Sequence, residues 1–322
     1  VLPLHTAVSG PSLSRPEPGG PGRMAFTTGH VDVGLQRLEL HGQGRNGVID
    51  RGKPRSDSTR IDCNARFSLD GKRVSFVSSR TGWAEAWVMS PDGSDLRQVT
   101  RMQATEMFIG GWSPDHRRFV IDADISGNAD VYVVSVDGAA PVRLTNEPGF
   151  DGLPHWSADS RWIYFTSDRS GRIEIWKVPA EGGRARQVTR HGGMQPIEAP
   201  DGSTLYYLAR PPSGVSGVSG TTRIMQVPVD GGDEAAVVGG VRFGLWSVID
   251  EGIVFVSMEA DADVLDVYEF ATRQRRRIGI LPQRVSRVAT LAGLAVAPDG
   301  RSAMVTVTDR WESDIMVADG FR

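Results

Sequence analysis

The chain has 322 residues, a net charge of −3 at neutral pH, 38 Gly, 19 Pro and one Cys. One cysteine excludes an internal disulfide and a multi-cysteine metal cluster, and the near-neutral charge supplies no global field for nucleic acid or an anionic membrane. No apolar run approaches the roughly 18–20 residues of a membrane helix, and residues 1–22 lack the basic start and apolar middle of a signal peptide.

The chain starts at Val1 rather than Met, so it reads as a processed or excised piece. In chain order, the predicted elements begin with an orphan strand at 1–4 and a weak copy of a repeat, with strands at 11–15, 24–27, 35–40 and 48–50. Stronger copies follow. Short strands end in turns at Asp70-Gly71, Asp115-His116, Asp159-Ser160, Asp201-Gly202, Asp250 and Asp299-Gly300, and successive aspartates lie 45, 44, 42, 49 and 49 residues apart. That spacing is the period of a four-stranded propeller blade. Second strands are predicted at 74–78, 119–122, 163–167, 205–208, 253–257 and 303–308. Third strands are predicted at 85–89, 130–134, 174–178, 224–227, 266–270 and 314–318, and outer strands at 96–100, 142–145 and 185–189. No stretch carries a useful 3.6-residue period.

The fold expected is therefore an all-β propeller of about seven blades, with six or eight as alternatives, forming one domain over 1–322. Blades are placed at 9–50, 62–100, 107–145, 151–189, 194–238, 242–280 and 289–322. The last copy lacks a fourth strand, so residues 1–4 are expected to complete it and close the ring, because an unpaired blade edge invites aggregation.

These repeats resemble the TolB-like, WD-repeat-like β-propellers. The resemblance is carried by Arg-Leu-Thr at 143–145, Trp-Ser-Ala-Asp at 156–159, Phe-Thr-Ser-Asp-Arg-Ser-Gly at 165–171 and Glu-Ile-Trp-Lys-Val-Pro-Ala-Glu-Gly-Gly at 174–183. The stretches at 192–202, 227–232, 270–272 and 312–316 are similar to the C-terminal propellers of bacterial winged-helix transcriptional regulators and some related protein kinases. The resemblance carries no catalytic motif. It implies a non-catalytic recognition or sensory part of a larger bacterial regulator, with a periplasmic or other extracytoplasmic setting expected over a cytoplasmic one. A propeller lyase or hydrolase, or the accessory propeller of a serine peptidase, is the alternative.

A repeat sequence separates scaffold from site. A residue type that recurs at one blade position is demanded by geometry; one that breaks the pattern is a site candidate. Carboxylates opening the third strand (Glu85, Asp130, Glu174, Asp266, Asp314) and aromatics two residues later (Trp87, Tyr132, Trp176, Tyr268) therefore read as scaffold. Arg273 to Arg277 read as a charged guard on an outer strand rather than a nucleic-acid patch. Nothing resembles a Gly-x-Ser-x-Gly elbow, and the six His form no His-x-His or His-Glu-x-x-His pair. No catalytic residue, metal or cofactor is expected, and no membrane insertion by this segment. The segments preceding the first strands are expected to form the channel mouth. There Asp62, Arg66, Glu106, Asp151, His155, Glu198 and Arg242 make a mixed-charge rim, with Phe108, Phe150 and Phe243 between them. Such a rim suits a protein or peptide partner, or a small polar ligand.

Overall fold

Short apolar runs closed by tight turns cannot bury themselves alone, so each pairs with its sequence neighbour and the resulting sheets stack. The computed structural model describes residues 7–14, 22–40, 48–55, 58, 60–209, 221–286 and 293–321. The chain opens with β1 (Ala7–Ser14), β2 (Gly22–Glu39) and β3 (Asp50–Arg55). Five four-stranded antiparallel sheets follow in chain order. Blade 1 is β4 (Asp62–Phe67), β5 (Val74–Ser78), β6 (Glu85–Met89) and β7 (Arg97–Gln98). Blade 2 is β8 (Glu106–Trp112), β9 (Arg118–Asp124), β10 (Ala129–Ser135) and β11 (Val142–Arg143). Blade 3 is β12 (Asp151–Trp156), β13 (Trp162–Ser167), β14 (Glu174–Pro179) and β15 (Arg186–Gln187). Blade 4 is β16 (Met194–Glu198), β17 (Thr204–Leu208), β18 (Thr222–Pro228) and β19 (Ala235–Val241). Blade 5 is β20 (Trp246–Ile249), β21 (Gly252–Met258), β22 (Asp263–Glu269) and β23 (Gln274–Ile280). The last two strands are β24 (Leu294–Val296) and β25 (Ser302–Phe321).

The sixth blade combines both parts of the chain: β24 pairs with β25, β25 with β2, and β2 with β3. The innermost strands β4, β8, β12, β16, β20 and β24 each contact the next, and β24 contacts β4. Six blades thus surround a central channel.

The expectation of seven blades is corrected to six, because residues 9–50 build no blade of their own. Leu35 pairs with Thr306 and Leu38 with Ala303, which makes β2 the third strand of the sixth blade and β3 its fourth. Leu35 packs with Ala295 and Met304 on one side, and Leu38 with Val296 and Val305 on the other. Around Leu35 and Leu38 both faces of β2 are packed within the last blade and against its neighbours, so this segment serves that blade rather than one of its own. The expected third strand at 314–318 is part of the unbroken β25. Residues 1–4 lie outside the described residues; the pairing between the two chain regions is made by β2 with β25.

Repeated polar locks hold each blade to the next connection. Thr189 Oγ1 accepts from Ile175 N at 2.9 Å and donates to Glu174 Oε2 at 2.7 Å. Thr100 with Glu85 and Thr145 with Asp130 repeat this arrangement in blades 1 and 2. At the first turns, Ser68, Ser113 and Ser157 donate to Asp70, Asp115 and Asp159, whose carboxylates also cap the turn amides.

Candidate functional site

Antiparallel pairing gives the ring two faces. Inner strands begin at the connection face, where the chain arrives from the previous blade, and end at the hairpin face, where the Asp turns gather. The two faces differ in chemistry.

At the connection face the channel is filled. Phe108 of blade 2 reaches across to Phe243, which precedes the inner strand of blade 5, with ring centroids 6.4 Å apart. Both belong to one apolar cluster with Phe150, Leu153, Met194, Ile197 and Trp246. The nearby acids are spoken for. Arg80 Nη2 donates to Asp62 Oδ2 at 2.9 Å, and Arg169 Nη2 to Asp151 Oδ2 at 2.5 Å. Each arginine also lies over two rings, Phe76 and Trp87 or Phe165 and Trp176. Asp62 and Asp151 are therefore equivalent buried members of one repeated unit, and Asp151 does not break the repeat pattern. Glu106 is exposed at the start of β8, while Arg242 is buried and donates towards Met258 Sδ.

At the hairpin face the channel opens into a cavity of about 340 Å³. Of the sequence candidates, Arg66, His155 and Glu198 line it; the other seven do not. One register position of each inner strand contributes a residue to its wall: Arg66, Gly111, His155, Ile197, Ser247 and Ala295. Six different residue types at one geometric position mean that blade packing does not dictate the choice.

Blade 2 is what brings Arg66 of blade 1 and His155 of blade 3 together. Gly111 stands between them, and a Cβ there would lie 2.9 Å from His155 Nε2, so the imidazole occupies the space a side chain would take. Its neighbour Gly110 would place a Cβ 1.9 Å from Pro154 O, so the inner strands of blades 2 and 3 approach as closely as backbone allows. Sequence reasoning passed over this Gly-Gly pair, although two adjacent glycines inside a strand signal close backbone approach.

His155 Nδ1 lies 2.8 Å from Trp156 O, so the carbonyl accepts and Nδ1 carries the hydrogen. Burial, aided by the charge of Arg66, lowers its pKa to about 4 against the opposing effect of that hydrogen bond. The ring is neutral at pH 7 and turns an acceptor Nε2 towards Gly111. Arg66 Nη1 donates to Ala65 O at 2.9 Å and to Leu294 O at 3.3 Å, and its guanidinium lies 5.4 Å from the Phe108 centroid. Burial lowers its pKa to about 10, which leaves it charged. Glu198 accepts Ala158 N–H at 3.0 Å, and burial is the largest influence raising its pKa. Trp246, which the sequence did not single out, fills the blade 5 side and donates its indole N–H to Gln195 Oε1 at 2.8 Å. The mouth carries apolar residues one step before the turn aspartates: Leu69, Pro114, Ala158, Pro200, Ile249 and Pro298. Among the described residues no group of three or more His, Cys, Asp or Glu is placed to hold a metal. The arginine run of β23 is paired with acids: Arg275 with Asp266, Arg276 with Glu269 and Arg277 with Glu259.

Comparison with known proteins places this architecture. Residues 104–237 match the TolB beta propeller domain. A Tol-Pal system protein TolB from Anaeromyxobacter dehalogenans is 31% identical over 85 residues, 26% of this chain and 19% of that protein, so the match spans about a fifth of the relative's length. The crystal structure of TolB from Acinetobacter baumannii superposes with a TM-score of 0.59 at 12% identity, covering 98% of this chain and 83% of that one. Oligogalacturonate lyase from Vibrio parahaemolyticus superposes with a TM-score of 0.50 at 14% identity, covering 92% and 78%. At such identities the structural likeness establishes fold alone, and one fold serves both a TolB and a lyase. Residues 104–237 thus match the TolB beta propeller domain, and the chain that contains them folds as a six-bladed β-propeller similar in fold to TolB.

Proposed function

We propose that this propeller is a recognition module that takes a protein partner on its hairpin face. The cavity at the channel's hairpin end carries the reading. An apolar mouth, with Leu69 55% exposed, surrounds a central pocket. That is the form of a binding patch in which an apolar anchor enters a pocket and a polar rim fixes its register. At the opposite end Phe108 and Phe243 meet across the channel within an apolar cluster. The TolB β-propeller domain at 104–237 and the similarity to a Tol-Pal system TolB support a module that works through partners rather than chemistry. In this reading the chain is the sensory or scaffolding part of a larger bacterial regulator acting outside the cytoplasm. Photo-crosslinking in the native cell tests it. A crosslinking residue at Leu69 is expected to trap a partner, and one at Glu106 on the other face is not; adducts from Glu106 alone, or from neither, would overturn it.

A further inference from the structure

We propose that the hairpin-face cavity binds a carboxylate carried by a peptide of the partner, with Arg66 as its anchor and His155 beside it. The inference rests on the proposed function in placing the partner on this face, and adds what the pocket selects.

Four observations point to an anion. First, Arg66 has no acidic partner: its Nη1 donates to two backbone carbonyls, and no ion pair involves it among the described residues. The other arginines held against buried acids (Arg80, Arg143, Arg169, Arg275 and Arg284) are each paired. A partly buried guanidinium without a counter-charge is costly to maintain, and a planar fork with uncommitted donors matches a carboxylate. Second, the register position is free of scaffold demand, since the other five blades place Gly, His, Ile, Ser and Ala there. Third, His155 is neutral, so it neither repels the guanidinium nor competes for an anion; its Nε2 can accept from a peptide N–H. Fourth, neither acid that lines the cavity forms an ion pair with Arg66: Glu198 accepts Ala158 N–H through Oε1, and Asp250 is exposed at the rim. The volume of about 340 Å³ lies at the small end of the range of about 300–1,000 Å³ usual for ligand pockets. It accommodates a side chain or a chain terminus, not a folded element. The turn aspartates around the mouth are interleaved with Lys72, Arg73, Arg117, Arg118 and Arg301, so the approach is not closed to an acidic residue.

The test uses the full chain and three pools of N-acetylated hexapeptides of uncharged random composition. One pool ends in a free carboxylate, one in an amide, and one in an amide with a single glutamate inside. Fluorescence anisotropy is expected to show one or both carboxylate pools binding about tenfold or more tighter than the neutral amide pool. Which of the two binds identifies a chain terminus or an acidic side chain as the source. Arg66→Gln should abolish the preference and Arg66→Lys should keep part of it, with melting temperature confirming that both variants fold. In the unmodified protein the Arg66 Nε–H resonance must shift with the preferred pool and stay in place with the neutral one, a readout that needs no variant. Equal binding of all pools, binding of none, or a preference that survives Arg66→Gln would overturn the proposal. If the neutral pool binds as well as the others while Leu69 still crosslinks a partner, the carboxylate assignment fails and the hairpin-face reading stands. If Leu69 traps nothing, that reading fails independently.

Discussion

Arg169 closes over Asp151, donating to Oδ2 at 2.5 Å while its guanidinium lies 5.2 Å from the Trp176 centroid, and Arg80 does the same to Asp62 two blades earlier. Each pair ties the start of an inner strand to the turn after the second strand. Asp151 is 1% exposed, and removing its carboxylate leaves the partly buried guanidinium of Arg169 without its ion-pair partner. Asp151→Ala is expected to cost about 1–3 kcal/mol, as for a charged hydrogen bond whose partner is left unpaired, with Asp151→Asn milder. Urea denaturation measures it, and an unchanged midpoint would show the pair to be dispensable.

The threonine locks give a second expectation. Thr189→Val leaves both Ile175 N–H and Glu174 short of a partner inside a buried connection. A loss of about 1–3 kcal/mol follows from desolvated groups left unpaired. Thr100→Val, in the equivalent position of blade 1, should match it. If Thr100→Val and Thr189→Val differ widely in thermal unfolding, the locks are not equivalent.

Two buried groups set opposing pH dependences. Unfolded His155 takes up a proton near 6.5, whereas the folded residue resists until about 4. The unfolded state binds more protons in that interval, so the stability due to His155 is complete above 6.5 and falls by about 3 kcal/mol as the pH drops to 4. Asp122 works the other way. Burial lifts its pKa from 3.8 to about 7, while it still accepts Leu153 N–H at 3.0 Å. The folded state keeps a proton the unfolded state has lost, so this contribution declines as pH rises from about 4 to 7. His155→Gln should flatten the acid limb, and Asp122→Asn should raise stability at pH 8 by a few kcal/mol. Denaturation at pH 4.5, 6 and 8 separates the two; an Asp122→Asn variant no more stable than the parent at pH 8 would contradict the assignment.

The glycine pair of blade 2 should respond unequally. Gly110→Ala drives a Cβ into the Pro154 carbonyl, which is backbone and cannot yield, so the variant is expected not to fold. Gly111→Ala meets the tip of His155, which can rotate, at a cost of about 1–3 kcal/mol. Combining Gly111→Ala with His155→Ala should recover part of that loss, a coupling that a double-mutant cycle reads directly. Strict additivity would show that the imidazole does not occupy the glycine's space.

Much of the site was visible only in part from the sequence. Arg66, His155 and Glu198 were identifiable as charged or polar residues near the channel, and all three line the cavity. Asp62, Asp151, Phe108, Phe150 and Phe243 shared the same location in sequence but turn to partners within the fold. Their partners lie 18 residues away or in an opposite blade. Whether a polar side chain faces a ligand or a neighbouring arginine depends on those distant contacts, which no local pattern encodes.

The sequence by itself determined the all-β architecture, the blade period and the scaffold locks, because a four-stranded blade is a local object. Its turns, alternation and capping carboxylates recur every 42 to 49 residues and can be read within one copy. Blade number and the working end of the channel were decided by tertiary structure alone. Six rather than seven blades follows from β2 pairing with β25 across nearly the whole chain, a contact that gives residues 22–39 to the last blade. The open end is the hairpin face because Phe108 and Phe243 meet across the ring while Gly111 makes room for His155 beside Arg66. Both outcomes depend on side chains from different blades competing for the same central volume, and that competition exists only once the ring has formed.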